Sequence, residues 1–323
     1  MRGATVQLPT PADVETAAER LNGHAVYTPF LRSEAIDAMA GTQVWLKPEC
    51  VQHVRAFKYR GARNRLAALT PEEQRRGLVA FSSGNHAQGV ARAARELGID
   101  ATIVMPSDAP DVKVAGVRAD GATIVAYDRA TESREAIADR IAAKEGRIIV
   151  PSFDDPHIIA GQGTVGLEIA KSGIAFDAVI TCIGGGGLCA GIALALRKHL
   201  PDCHLHGAEP ENYDDHKRSL AAKSRVALNS PPPTLCDAIM TLQPGELTWA
   251  INGPALTAVH TVTDQQAIDA MKAAFTHLGV RLEPGGAVAL AATLTGAMSG
   301  YERVAVVLSG GNVDEAVWQR ALA

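Results

Sequence analysis

The feature that most restricts the folds open to this chain is its alternation of short β-branched runs with longer alanine-rich stretches. Segments 101–105 (ATIVM), 122–127 (ATIVAY), 147–150 (RIIV), 177–182 (DAVITC) and 303–308 (RVAVVL) read as buried strands. Segments 87–97, 134–144, 165–172, 188–200, 264–278 and 286–294 read as helices. Strands without a polar face must be covered on both sides, and strand–helix alternation lays successive strands parallel. The expected fold is α/β, with largely parallel sheets and helices on both faces. The 323 residues, 47% of them hydrophobic, suffice for two domains or one large one. Aromatic residues make up only 4%, so Ala, Val, Ile and Leu must build the core.

Composition removes several function classes. The formal net charge is −4 and no long basic run occurs, which argues against nucleic acid or an anionic membrane as partner. The five cysteines are odd in number and form no C-x-x-C pair, which argues against a disulfide framework or a structural zinc site. Residues 1–13 lack the apolar stretch of a signal peptide, and no apolar run reaches membrane-spanning length. The expectation is a reduced, cytoplasmic, soluble protein.

Open parallel sheets bind ligands beyond the carboxyl ends of their strands, so loops that follow strands are the candidates. Gly184, Gly185, Gly186 and Gly187 stand between the 177–182 strand and an Ala/Leu-rich helix. Such a backbone can wrap an anion and aim N–H groups at it, helped by the helix N-terminus. Four glycines exceed the needs of a single turn, and no Gly-Lys-Ser/Thr follows to make a Walker loop. A second glycine pattern, Gly161-x-Gly163-x-x-Gly166, matches the dinucleotide fingerprint, but no convincing strand leads into it. It reads as helix-entry glycines packed on a neighbouring element.

Lys58 stands between Phe57 and Tyr59 in a chain poor in aromatics, with Arg60 close enough to lower its pKa by repulsion. Its spacing alone divides evenly between a surface charge and a reactive amine. Ser82, Ser83, Gly84, Asn85 and His86 follow the apolar run 78–81; they suit either helix capping or capture of a carboxylate.

Taken in order, Phe57-Lys58-x-Arg60-Gly61-Ala62, Ser83-Gly84-Asn85-His86, the tetraglycine loop, Glu283-Pro284-Gly285-Gly286-Ala287 and Ser309-Gly310-Gly311-Asn312 form a set. That set resembles the fold-type II, pyridoxal-phosphate (PLP) dependent threonine/serine dehydratases and serine racemases. The resemblance implies a two-domain fold of the tryptophan synthase β type: residues 1–76 with 147–323 hold the cofactor, and 77–146 form a smaller part that closes over substrate. It also implies a homodimer. Lys58 becomes the Schiff-base lysine and later the α-proton base, Phe57 flanks the cofactor ring, and Asn85 reaches its phenolic oxygen. Gly184 to Gly187 and the N–H of Leu188 hold the phosphate, and Ser309 sits at the pyridine nitrogen. A hydroxyl there makes the ring a weaker electron sink than a carboxylate would, which favours expulsion of a β-hydroxyl. Ser82, Ser83, Asn85 and His86 form the loop for the substrate carboxylate.

The implied reaction converts a small β-hydroxy amino acid such as L-threonine or L-serine to a 2-oxo acid and ammonia. Ser83 stands where the racemase branch has its serine, which admits serine racemisation. Glu209, the carbonyl of Tyr213 and Asp215 match that branch's site for Mg²⁺ or Ca²⁺, and oxygen ligands suit such ions; an acidic solvated loop is the alternative. Arg134 matches an arginine that can grip a second carboxylate, as in 3-hydroxyaspartate. One departure stands out: His53-Val54-Arg55-Ala56 replaces the usual Thr-Gly-Ser before Phe-Lys, which opens the substrate range to bulkier compounds such as phenylserine. Two further readings are a PLP-binding regulatory module without turnover and, more weakly, a dinucleotide-dependent oxidoreductase.

Overall fold

The computed structural model describes residues 7–82, 84–109 and 111–323. Among these, nine strands form two fully parallel sheets. The strands are β1 (Gln43–Lys47), β2 (Leu78–Phe81), β3 (Ala101–Pro106), β4 (Thr123–Tyr127), β5 (Ile148–Ile149), β6 (Ala178–Cys182), β7 (His204–Pro210), β8 (Leu256–Val262) and β9 (Arg303–Val307). The larger sheet has the order β1-β9-β6-β7-β8, and the smaller β4-β3-β2-β5. Interior strands such as β3 and β6 are buried at every residue, as their unbroken apolar runs require. β1 and β8 were not anticipated. Both are edge strands with solvent on one side, so their sequences mix polar and apolar residues and lose the continuous signal. The smaller sheet takes in β5, beyond the expected segment 77–146, because Ile148 and Ile149 pair with Leu78 and Val79.

The glycine-rich stretch 161–166 does not open a helix. It lies inside the long helix Pro156–Ala170, which Asp155 caps. A Cβ at Gly161 would come within 2.7 Å of the Arg60 carbonyl, one at Gly163 within 2.8 Å of the Gly191 carbonyl, and one at Gly166 within 2.8 Å of the Ile192 Cα. These glycines therefore let three helices, Lys58–Ala67, Pro156–Ala170 and Gly187–His199, approach almost backbone to backbone. The packing part of the sequence reading holds; the position at a helix entry does not.

Where the Lys58–Ala67 helix begins, Arg60 is only 1% exposed. Its guanidinium donates to Glu49 at 2.7 and 2.8 Å and to Glu168 at 2.6 Å. Lys47 joins through Glu168 at 2.5 Å, and Thr28 donates to Glu49 at 2.7 Å. This buried network ties an edge strand, the lysine-bearing helix and the central helix together. No helix among the described residues is long and apolar enough to cross a membrane.

Candidate active site

Three loops at the carboxyl ends of strands converge on one cavity of about 420 Å³. They are the loop from Ser82 after β2, the glycine loop after β6 and the Ser309 loop after β9. Chain geometry sets Lys58 against the last of these: the Phe57 N–H donates to the Ser309 carbonyl at 3.1 Å, and Ala56 bridges Gly310. The Lys58 Nζ lies in the cavity, donates to the Ser152 carbonyl at 2.8 Å and stands 5.2 Å from the centre of the Phe57 ring. Burial lowers its pKa to about 8, opposed by Cys182. Arg60 plays no part in this shift, contrary to the sequence expectation, because Glu49 and Glu168 take up its guanidinium.

Gly184 to Gly187 line the same cavity. Gly186 sits at φ +95°, in left-handed territory, and a Cβ on Gly185 would run into the Phe153 ring. Two of the loop's carbonyls are occupied: Gly185 accepts from the Thr248 hydroxyl at 2.7 Å, and Gly186 from the Asn252 amide at 3.1 Å. Its N–H groups are not. From Gly184 to Leu188, no backbone N–H finds an acceptor among the described residues. A run of unspent donors at a helix N-terminus, in a cradle that side chains would fill, fits a phosphate group.

The remaining ring contacts also fit a pyridoxal. Ser309 is 5% exposed and accepts from the Cys182 thiol at 3.1 Å. Asn85 donates to Glu283 at 2.5 Å and accepts from Asn312 at 2.8 Å, which leaves one amide hydrogen for a ligand oxygen. Burial, then Lys58, pushes His86 down to about 3, so its ring is neutral; Nε2 contacts the Val150 carbonyl at 3.2 Å and Nδ1 has no partner among the described residues. Leu188 and Ser82 both line the cavity, and the Ser82 hydroxyl accepts from the Gly84 N–H at 3.1 Å. Ser83 lies outside the described residues. Arg134 lines the mouth, with its guanidinium 5.5 Å from the centre of the Phe81 ring and 2.8 Å from Glu135. That ion pair is solvent-exposed and holds the arginine only weakly.

Several groups at the site had no assigned role in the sequence. Lys113 is buried, lines the cavity and pairs with Asp237 at 2.5 Å. Glu283 belongs to a motif quoted above, yet only the structure sets it beside Asn85. Burial raises Glu283 to about 7, with Lys113 opposing. A carboxyl whose folded pKa exceeds its unfolded value binds a proton more tightly when folded. Stability then falls as pH rises from about 4.5 to 7 and stays lower above that. Glu283→Gln, which cannot ionise, is therefore expected to be more stable than wild type at pH 8 by about 1–3 kcal/mol and equal to it near pH 4.5. Thermal melts of the two apoproteins across this range check the sign.

Glu209 at the end of β7 and Asp215 at the start of the helix Asp215–Ala222 come together as expected. Tyr213 lies in the turn between them, its N–H bonded to the Pro210 carbonyl at 2.9 Å. His216, which the sequence reading missed, completes a cluster whose ligand atoms all lie within 4.8 Å of one another.

Comparison with known proteins agrees with the cavity. The family model of pyridoxal-phosphate dependent enzymes matches residues 21–310, and the chain belongs to that family. Within it, the chain is 43% identical to an L-threo-3-hydroxyaspartate ammonia-lyase of Pseudomonas sp. over 311 residues, covering 96% of this chain and 97% of that one. It is 39% identical to a serine racemase of Schizosaccharomyces pombe, covering 95% of each. Its fold superposes on maize serine racemase with a TM-score of 0.93 at 36% identity, covering 97% of both chains. The dinucleotide reading of 161–166 is thereby overturned: those glycines are packed inside a helix, and the family's cofactor is pyridoxal phosphate.

Proposed function

We propose that this protein is a PLP-dependent ammonia-lyase for a small β-hydroxy amino acid, and that 3-hydroxyaspartate is the preferred substrate. The observation that carries the reaction class is the pairing, in one cavity, of a buried lysine amine of lowered pKa with an unspent run of backbone donors. Bound pyridoxal phosphate supplies an aldehyde for an amine and a ring that accepts the electron pair left when the α-proton departs. Lys58, with a pKa near 8, holds a useful fraction of neutral amine at working pH. Lys58 would anchor the cofactor through Nζ and, with the substrate bound, would take the α-proton at the same atom. Ser82, Asn85 and His86 hold the α-carboxylate, joined by Ser83. The β-hydroxyl leaves as water, and hydrolysis of the remaining C–N bond gives a 2-oxo acid and ammonia. Phe57 would flank the cofactor ring, Ser309 would offer its nitrogen a neutral hydroxyl, and the smaller sheet's segment would close Arg134 and the Ser82 loop onto the substrate.

The preference for a second carboxylate draws on Arg134 at the mouth and on Lys113 within the cavity. It also draws on the relatives named for hydroxyaspartate, which include a β-hydroxyaspartate dehydratase of Paracoccus denitrificans. L-Serine and L-threonine are the second choice, phenylserine the third. Serine racemisation is a separable activity that rests on Ser83.

The test is a panel of these substrates with the holoenzyme, measuring 2-oxo acid, ammonia and the chirality of recovered serine. Release of oxaloacetate and ammonia from 3-hydroxyaspartate is the expected leading result. Cofactor binding with no turnover of any substrate would instead favour the regulatory-module reading. Arg134→Ala is expected to lower kcat/KM for 3-hydroxyaspartate by about 10- to 100-fold, the weight of a charged hydrogen bond, while that for serine stays within about threefold.

A further inference from the structure

We infer that His216 is a nitrogen ligand to a divalent cation held with Glu209 and Asp215, and that it gives this site a preference for a transition ion such as Mn²⁺ or Zn²⁺ over Mg²⁺ or Ca²⁺. The inference rests on the expectation of an ion at Glu209 and Asp215, and changes which ion belongs there. The His216 and Glu209 side chains are fully buried and that of Asp215 is 1% exposed. The His216 Nδ1 stands 3.4 Å from Glu209 Oε1 and 3.5 Å from Asp215 Oδ2, at ion-pair distance from both but aligned as a hydrogen bond with neither. Both ring nitrogens and both Asp215 carboxylate oxygens lack a hydrogen-bond partner among the described residues. His216 Nδ1 and the Asp215 carboxylate are thus buried without partners and stand beside Glu209, with one ligand atom of each residue within 4.8 Å of the others, an arrangement that calls for a cation among them.

The frame around that point is already fixed. Each Glu209 oxygen accepts a backbone N–H, from His216 and Lys217 at 3.1 Å, which orients the carboxylate and leaves lone pairs free. Ligands about 2.1 Å from a shared ion, near the tetrahedral angle, lie about 3.4 Å apart; the observed separations of 3.4 and 3.5 Å match. Hard ions take oxygen ligands, whereas an imidazole shifts the balance toward Zn²⁺ and Co²⁺ and, less strongly, toward Mn²⁺ over Mg²⁺. The other ring nitrogen faces the phosphate cup: a Cβ on Gly186 would sit 2.8 Å from His216 Nε2. One imidazole thus spans from the ion to the wall of the cofactor site.

The test uses chelator-stripped holoenzyme. Mn²⁺ and Mg²⁺ are titrated by calorimetry into wild type and His216→Ala, and the Mn²⁺-loaded wild type is examined by pulsed EPR. The expected result is ¹⁴N modulation from one imidazole in wild type. His216→Ala should lose at least tenfold more affinity for Mn²⁺ than for Mg²⁺. Bound Mn²⁺ without a nitrogen signal, or equal weakening of both ions, overturns the role of His216 and leaves the ion site standing. If wild type binds neither ion, the ion site itself falls, and an imidazolium occupies the ion's place. The EPR measurement on wild type holds whether or not the variant folds.

Discussion

Lys58→Ala is expected to abolish the covalent, borohydride-fixed cofactor at position 58 and to lower kcat/KM for the best substrate by about 10⁴-fold, the combined loss of an anchoring nucleophile and a proton acceptor. Among the described residues lining the cavity, none replaces it. Lys113 is held by Asp237, and burial, the largest cause of its lowered pKa, keeps the His86 ring a poor proton acceptor even once Lys58 is gone. The variant should also fold, which separates loss of chemistry from loss of structure. Burial holds the Lys58 pKa near 8, below its ordinary value of 10.5. A depressed lysine pKa means that the folded protein bears the cost of the charge in full below pH 8, with relief as pH rises toward 10.5. The alanine apoprotein is therefore expected to melt above the wild-type apoprotein at pH 7, with the gap narrowing above pH 8. Mass spectrometry after borohydride treatment, steady-state kinetics and paired melts supply the three readouts. Full activity in the alanine variant would remove the basis of the proposed function.

The second large effect is structural. Arg60→Ala should destabilise the fold by about 3–5 kcal/mol, because it strands Glu49 as a buried charge without its partner. Glu49 is fully buried, and its other recorded side-chain bond comes from a neutral hydroxyl, that of Thr28. Glu168 is partly exposed and keeps Lys47, so it relaxes more cheaply. Urea titrations should show a lower midpoint with an unchanged slope. Arg60→Met combined with Glu49→Leu, which removes the charge along with its partner, is expected to recover most of the loss. A single variant as stable as wild type would show that the network contributes orientation rather than stability.

What the sequence disclosed followed physical lines. Interior strands such as β3 and β6 are legible because parallel sheets bury both faces, and their composition says so. β1 and β8 are not, because each is an edge strand in which polar residues interrupt the apolar run, whereas the edge strands β4 and β5 keep theirs. Loops that lack side chains or follow strands, such as Gly184 to Gly187 and Ser309, advertise themselves locally. Pairings between distant charges do not: Lys113 and Asp237 are 124 residues apart, and Arg60 and Glu168 are 108 apart. Lys113 and Arg60 look locally like surface cations, and only the packed fold reveals them as buried. His216 was passed over for a related reason. Its neighbours Glu209 and Asp215 form an acidic pattern that reads as oxygen-only, and the imidazole's direction is set by the turn of a short helix.

The near-contact of the three glycine-laced helices has a consequence for how this enzyme can change. The amine and the anion cradle are carried by two of those helices, with the third clamped between them, so their spacing behaves as a gauge block with no slack. A single added methyl at Gly161 or Gly163 would prise one carrier away from the other and detune every reaction the protein performs. The walls contributed by Phe81, Arg134 and Met240 carry no such duty. New substrate tastes should therefore be acquired by editing those walls, and libraries that spare the glycine seam should yield altered selectivity without recalibrating the chemistry.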